Sequence, residues 1–271
     1  MNQYKAVNKN LATLIFLMIF DSALIVWVVS ISGKVNLLVI ILFLFNVAFL
    51  MGAIHEYNQI KKQRVVDLRN FAKVRGYKFF ERPTEAHITD FKNFKAMEKI
   101  LLPPRAHNFL NIFLPKEPSI NQPTIVTIRS TIPAGESSST YYTQVYKFEI
   151  NKSIPVFFLS GGFHFSFSNL FRSKNIFQGI KDLEEVDISK FSFPKSQYKL
   201  YSSDENIKDF FTKDFIDILN SGLKKKRETI YMESDGKNII FYIKFKRHSL
   251  TGMNFFINLF SVLLGSLKLS K

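Results

Sequence analysis

Two stretches, LATLIFLMIFDSALIVWVVSI (11–31) and VNLLVIILFLFNVAFLMGAI (35–54), decide how this chain is read. The first holds only Thr13, Asp21, Ser22 and Ser30 as polar members. At about 1.5 Å per helical residue it reaches roughly 30 Å, the thickness of a bilayer's hydrocarbon core. The second has Asn36 and Asn46 as its strongly polar side chains and is long enough to do the same. Only Ser32, Gly33 and Lys34 separate them, so the expectation is an antiparallel transmembrane hairpin occupying residues 1–54. A secretory signal peptide is the competing reading of the first run, with Lys5 and Lys9 as its basic region and Ser30-Ile31-Ser32 as its cleavage site. The apolar run is longer than the roughly 7–15 residues of such a signal, Asp21 interrupts it, and a second span follows at once.

Orientation follows from the cations beside each span. Lys5 and Lys9 precede the first, Lys61, Lys62, Arg64 and Arg69 follow the second, and Lys34 is alone in the turn. The expectation is therefore an integral protein of the plasma (inner) membrane with both termini in the cytoplasm. A carboxylate at mid-bilayer costs at least about 2.5–3.5 kcal/mol, so Asp21 needs compensation. Measured from the centre of the turn, Asp21 and Asn46 sit at matching depth on the two helices. A hydrogen bond between them would satisfy both and fix the register of the hairpin. Pairing of Asp21 between subunits of a homo-oligomer and an ion or proton pathway are the alternatives, and one acid on two helices is thin material for conduction.

The chain of 271 residues carries 37 Lys+Arg against 22 Asp+Glu, a net charge of +15. Setting aside Lys5, Lys9, Lys34 and Asp21 leaves 34 cations and 21 acids, or +13, on residues 55–271. Such an excess favours anionic partners: the anionic leaflet of the lipid bilayer, an acidic protein partner, or nucleic acid, the last being the least expected. Compositional drift toward Lys, Asn, Ile and Phe explains the same excess. Zero cysteines exclude disulfides and thiolate ligands.

Residues 55–76, HEYNQIKKQRVVDLRNFAKVRG, have apolar positions near a 3.6-residue period and predict a basic juxtamembrane helix, with Gly76 ending it. Lys61, Lys62 and Arg64 are candidate contacts to an anionic surface, as are Lys224, Lys225, Lys226 and Arg227 at the end of a later helix. A solvated helix face explains either run equally well.

Residues 77–248 read as an α+β domain. Tyr77–Phe80 is a short strand, and Ile88, Phe91, Phe94 and Met97 give Thr84–Ile100 a helical pattern ended by Pro103-Pro104. Strands are expected at Asn108–Leu114, Thr124–Arg129, Tyr141–Ile150 and Ile154–Leu159, with a polar loop over 133–139. The Phe-rich stretch FHFSFSNLFRSKNIFQGI (163–180) gives no assignment. Ser196–Tyr201 reads as a strand, followed by a helix from Asp204 bearing Ile207, Phe210, Phe211, Phe215, Ile218 and Leu219 and stopped by Gly222. Thr229–Glu233 and Asn238–Lys246 form a hairpin about Asp235-Gly236. The expected fold class is thus an N-terminal transmembrane hairpin followed by a mixed, mainly antiparallel sheet with packed helices and a C-terminal amphipathic helix.

That last helix occupies 250–268. Asn254, Asn258, Ser261, Gly265 and Lys268 recur at intervals of four and three, leaving a wide apolar face. Its apolar part, Met253–Leu267, reaches only about 22 Å, short of the hydrocarbon core, so packing over the sheet or lying on the membrane surface is expected ahead of a third span.

Chemistry is hard to find. The five histidines, at 55, 87, 107, 164 and 248, show no metal-ligand spacing. No phosphate-loop, dinucleotide or serine-hydrolase motif is present. Gly161-Gly162 reads as a plain turn and Glu184-Glu185, with Asp182 and Asp187, as loop solvation. No catalytic residue, metal ligand or cofactor is expected.

The hairpin, NFAKVRGYKFF (70–80), IPVFFL (154–159), FPKSQYKLYSSDENIKDFFTKDFIDIL (193–219) and IYMESDGKNIIFYI (230–243) together resemble a family of bacterial membrane proteins of unknown function. The resemblance covers the order of elements across most of residues 11–246. It implies a bacterial, membrane-anchored α+β protein and brings no catalytic residues.

Overall fold

The computed structural model describes residues 22–23, 25–27, 29–31, 37–101, 107–117, 119, 121–134, 137–150, 152–161, 183–188, 198–204, 207–224, 230–243 and 246–267. Asp21, most of the first apolar run, the 163–180 stretch and Lys225–Arg227 lie outside them. The chain divides into two compact units, Met1–Arg69 and Asn70–Lys271.

In the first unit the described residues between 22 and 31 are helical. Helix α1 (Leu37–Val74) then runs for 38 residues without a break, its last turn belonging to the second unit. The second apolar run and the juxtamembrane helix are therefore one element, where the sequence suggested two. Nothing in LMGAIHEYNQI stops it: Gly52 is the one weak helix former, and no proline intervenes. Between Ile40 and Val74 the helix contains an apolar window of mean hydropathy 1.7, of which 6% is buried. By length and composition it is able to cross a membrane.

The second unit is built on a nine-stranded antiparallel sheet in the order β1-β2-β3-β4-β9-β8-β5-β7-β6. The strands are β1 (Tyr77–Phe80), β2 (His107–Pro115), β3 (Thr124–Ala134), β4 (Ser137–Glu149), β5 (Val156–Gly161), β6 (Glu184–Val186), β7 (Tyr198–Ser202), β8 (Ile230–Asp235) and β9 (Asn238–Ile243). Gly76, at φ +73°, turns α1 into β1 in the left-handed conformation a helix-ending glycine supplies. β3 and β4 pair from Thr124 opposite Lys147 to Ala134 opposite Ser137, so most of the expected polar loop is strand. Glu184 and Glu185 also lie on a strand, the edge strand β6, where Glu185 is 3.7 Å from Lys199 Nζ. The β8–β9 hairpin forms as expected: Asp235 Oδ1 accepts the amides of Lys237 and Asn238 at 2.9 and 2.7 Å, and Gly236 takes φ +95°.

Period-two alternation sends side chains to two buried faces. On one, Ile112, Val126, Ile128, Val145, Ile240 and Tyr242 pack against Phe91, Phe94, Met97 and Leu101. Those four come from a broken segment where a single helix over Thr84–Ile100 was expected: α2 (Glu85–Ile88), a 3-10 stretch Thr89–Asn93, and α3 (Lys95–Leu101). An apolar spacing of three suits 3-10 geometry, in which residues i and i+3 eclipse.

The opposite face carries α4 (Ile207–Phe210), α5 (Lys213–Lys224) and α6 (Leu250–Gly265). The expected helix from Asp204 divides at Phe211-Thr212 because the Thr212 hydroxyl accepts the Phe215 amide at 3.1 Å, capping a new helix. Gly222 does not stop α5, which continues to Lys224. Helix α6 starts at Ser249, whose side chain accepts the Gly252 amide. It buries Met253, Phe256, Ile257, Phe260, Leu263 and Leu264. Phe260 stacks on Phe241 at 4.5 Å and meets Tyr146 edge-on at 5.2 Å. The apolar face of the C-terminal helix is therefore taken by the sheet, with each large side chain worth about 1.5–3 kcal/mol of burial.

Candidate functional site

Two regions carry the groups that chemistry or recognition would need. The first is α1. Lys61 and Lys62 are exposed and Arg64 is half-buried; Lys61 and Arg64, three apart, are neighbours on the helix, while Lys62 lies on a different side. At 100° per residue Lys62 aligns instead with Arg69 and Lys73, both exposed, which grouping by density along the sequence had obscured. Asn46 is half-buried on the same helix, while its expected partner Asp21 falls outside the described residues. Lys224 is the last residue of α5, and Lys225, Lys226 and Arg227 lie beyond the described residues.

The second region is a cleft of ≈ 720 Å³ where Asp90, Asn93 and Lys95 meet the ends of β4, β8 and β9. With Asp90, Glu149, Glu233 and Asp235 supply its acids, and Ile150, Val156 and Leu183 part of its apolar wall. Glu233 is buried, and its two carboxylate oxygens accept the Ala96 amide at 2.9 Å and the Met97 amide at 2.8 Å. These amides open α3 and would otherwise be orphan donors. Burial pushes the Glu233 carboxyl up from its ordinary value to about 7, against the smaller opposing pull of the two amides.

Beside it Lys147, only 4% exposed, donates to Asp90 Oδ2 at 2.7 Å and lies 3.4 Å from Glu149 Oε1. Its ammonium is 5.8 Å from the centre of the Phe91 ring. Asp235 is spent on its own turn, where the Asn238 side-chain amide also donates to Oδ2 at 3.0 Å. Each acid of the cleft among the described residues thus already serves a structural partner: Glu233 caps α3, Asp90 and Glu149 share Lys147, and Asp235 shapes the hairpin. That arrangement clamps the 85–101 segment to the sheet.

Glu233 and Lys147 went unnoticed in the sequence. The available signal was an ionisable residue at an inward position of an otherwise apolar strand, Tyr231-Met232-Glu233 and Tyr146-Lys147-Phe148. Among the described residues no group of three or more His, Cys, Asp or Glu is arranged to hold a metal ion.

Comparison with known protein families, curated proteins and solved structures finds no match for this chain.

Proposed function

We propose that this chain is a membrane-anchored, non-enzymatic protein of the inner membrane, whose α+β domain binds or scaffolds a partner at the cytoplasmic leaflet. One observation carries the reading: α1 runs unbroken from an exposed apolar segment into an exposed basic one. Val47, Phe49, Leu50, Met51 and Ile54 are all solvent-accessible on this helix, a surface that only lipid or another apolar helix suits. The hairpin arrangement, with Asp21 against Asn46 and both termini cytoplasmic, belongs to the same proposal and rests on the two apolar runs and the flanking cations.

The domain's two filled aromatic faces and the prior commitment of the described acids in its cleft favour recognition over catalysis. Alkaline extraction of membranes from cells expressing the full chain tests the anchor. Retention in the membrane pellet is expected, and release with peripheral proteins would contradict it.

A membrane-anchored enzyme is the second reading, favoured by the cleft itself and by a Glu233 carboxyl that titrates near neutrality. It requires substrate to displace the Ala96 and Met97 amides or to use Glu233 as an acid while they remain bound.

A further inference from the structure

Thr251, Phe255, Asn258, Val262 and Gly265 are the exposed residues of α6, and every other residue of that helix is buried or half-buried. Their spacing of 4, 3, 4 and 3 sets them in one stripe along the outer side, the spacing at which one helix seats along another. Phe255 and Val262 keep 40% and 55% of their surface exposed, although the Phe255 ring also meets Phe256 edge-on at 5.1 Å. No charged residue occurs from Leu250 to Leu267. Helix α5, in the same layer, carries charge on its outer side as a solvated helix does, exposing Lys213, Asp214 and Asp217. Arg247, just before α6, lies over the Tyr142 ring at 5.1 Å.

We propose that this stripe is the contact between two copies of the chain, the Asn258 of each meeting that of the other. Asn258 is the midpoint, seven residues from Thr251 and seven from Gly265, so it meets its own equivalent whether the two helices run parallel or antiparallel. Its side-chain amide both donates and accepts, which makes it complementary to itself, and Phe255 and Val262 flank it with apolar surface. Charge and shape choose this occupant. Residues 55–271 carry a net +13, so most contacts between copies set cation against cation, whereas an uncharged stripe lets two copies approach. A bilayer surface takes a helix by a broad apolar face, and the broad face of α6 already lies on the sheet; what remains is one residue wide with an amide at its centre. A two-fold contact requires a patch that complements itself, as a stripe balanced about Asn258 does, and a different protein imposes no such requirement. Five side chains from each copy fall short of the roughly 20–30 of a standard interface. The inference therefore rests on the membrane-anchored reading above, because confinement to one bilayer raises the effective concentration of each copy as a tether does.

The test uses the full chain in membranes of expressing cells. Asn258→Cys treated with a short bismaleimide should give a species of twice the monomer mass as its main product, while Lys78→Cys, exposed on β1, should stay monomeric. Two differently tagged copies of the native chain should co-purify in mild detergent. Recovery should fall at least about tenfold when both copies carry N258K/V262K or both carry N258E/V262E, and should return when one of each is combined. That return also shows that both variants fold. Equal recovery from all four pairings, or no return in the mixed pair, would overturn the proposal. So would cross-linking of position 258 only to products of other mass, which would give the stripe to a different protein. A dye at position 258 shielded from an aqueous quencher in nanodiscs holding one copy would give it to lipid, with the same consequence. Alkaline extraction of the same membranes reports separately on the anchor: retention without a cross-link removes the contact alone, and release with a cross-link removes the anchor alone.

Discussion

Glu233 Oε2 accepts the Met97 amide at 2.8 Å, so a buried side chain in the middle of β8 caps a helix contributed by a segment over 130 residues earlier. Its other oxygen holds Ala96 in the same way. Removing the side chain leaves two donors without acceptors, and Glu233→Ala is expected to cost about 3 kcal/mol. The folded carboxyl holds its proton up to about 7 against an ordinary value of 4.5, so the folded state binds more protons than the unfolded chain between those values. This contribution is whole below pH 4.5 and is lost as pH rises toward 7, a decline of order 3 kcal/mol. Thermal unfolding of the purified chain from pH 4.5 to 8 should show that slope in the native protein and a flatter one in Glu233→Gln.

Lys147 and Asp90 form an asymmetric pair, with side chains 4% and 64% exposed. Losing Asp90 leaves a buried cation with the longer contact to Glu149 and the Phe91 ring, whereas losing Lys147 frees two carboxylates that water reaches easily. Asp90→Ala should therefore destabilise by about 2 kcal/mol and Lys147→Met by less than about 1 kcal/mol. Comparable losses in urea titrations of the two variants would contradict the asymmetry.

Tyr242 is fully buried, and its hydroxyl has no hydrogen-bond partner among the described residues. Its ring stacks on Tyr231 at 5.1 Å, a contact phenylalanine preserves. Tyr242→Phe is expected to raise stability by about 1 kcal/mol, since it removes a polar atom whose burial no described residue offsets. A fall in melting temperature would count against this account of the site.

Asp21 and Asn46 should couple. Each single change, Asp21→Ala or Asn46→Ala, leaves the other polar group in the apolar layer, so the double variant should lose less than the sum of the two. The difference is expected at about 1 kcal/mol in detergent unfolding. Additive losses would remove the proposed contact.

What the sequence revealed was local. Asp235-Gly236 marked its hairpin because the turn needs a positive φ and an acceptor two residues back. Gly76 marked the end of α1 for a similar reason, whereas the stripe of Asn254, Asn258 and Ser261 fell beside the outer side of α6, which Phe255, Asn258 and Val262 form while Asn254 Oδ1 and Ser261 Oγ are buried. Long-range facts were hidden. The Glu233 cap links residues 137 positions apart in the case of Ala96, and no local pattern near either announces it. The division at Thr212 turned on a hydroxyl competing with the backbone, against an apolar pattern that runs straight through it. Continuity of α1 was missed because a change of composition near His55 resembled a boundary, although composition alone does not end a helix.

The native chain contains no cysteine, so a single introduced thiol reports its own position without background. Full-length variants Gln3→Cys, Gly33→Cys and Lys62→Cys, treated with a membrane-impermeant maleimide on intact cells, address the anchor directly. The hairpin predicts labelling of position 33 from outside, and of positions 3 and 62 only after the membrane is opened. Labelling of position 3 and of position 62 from opposite sides, or shielding of position 33 until permeabilisation, would contradict it.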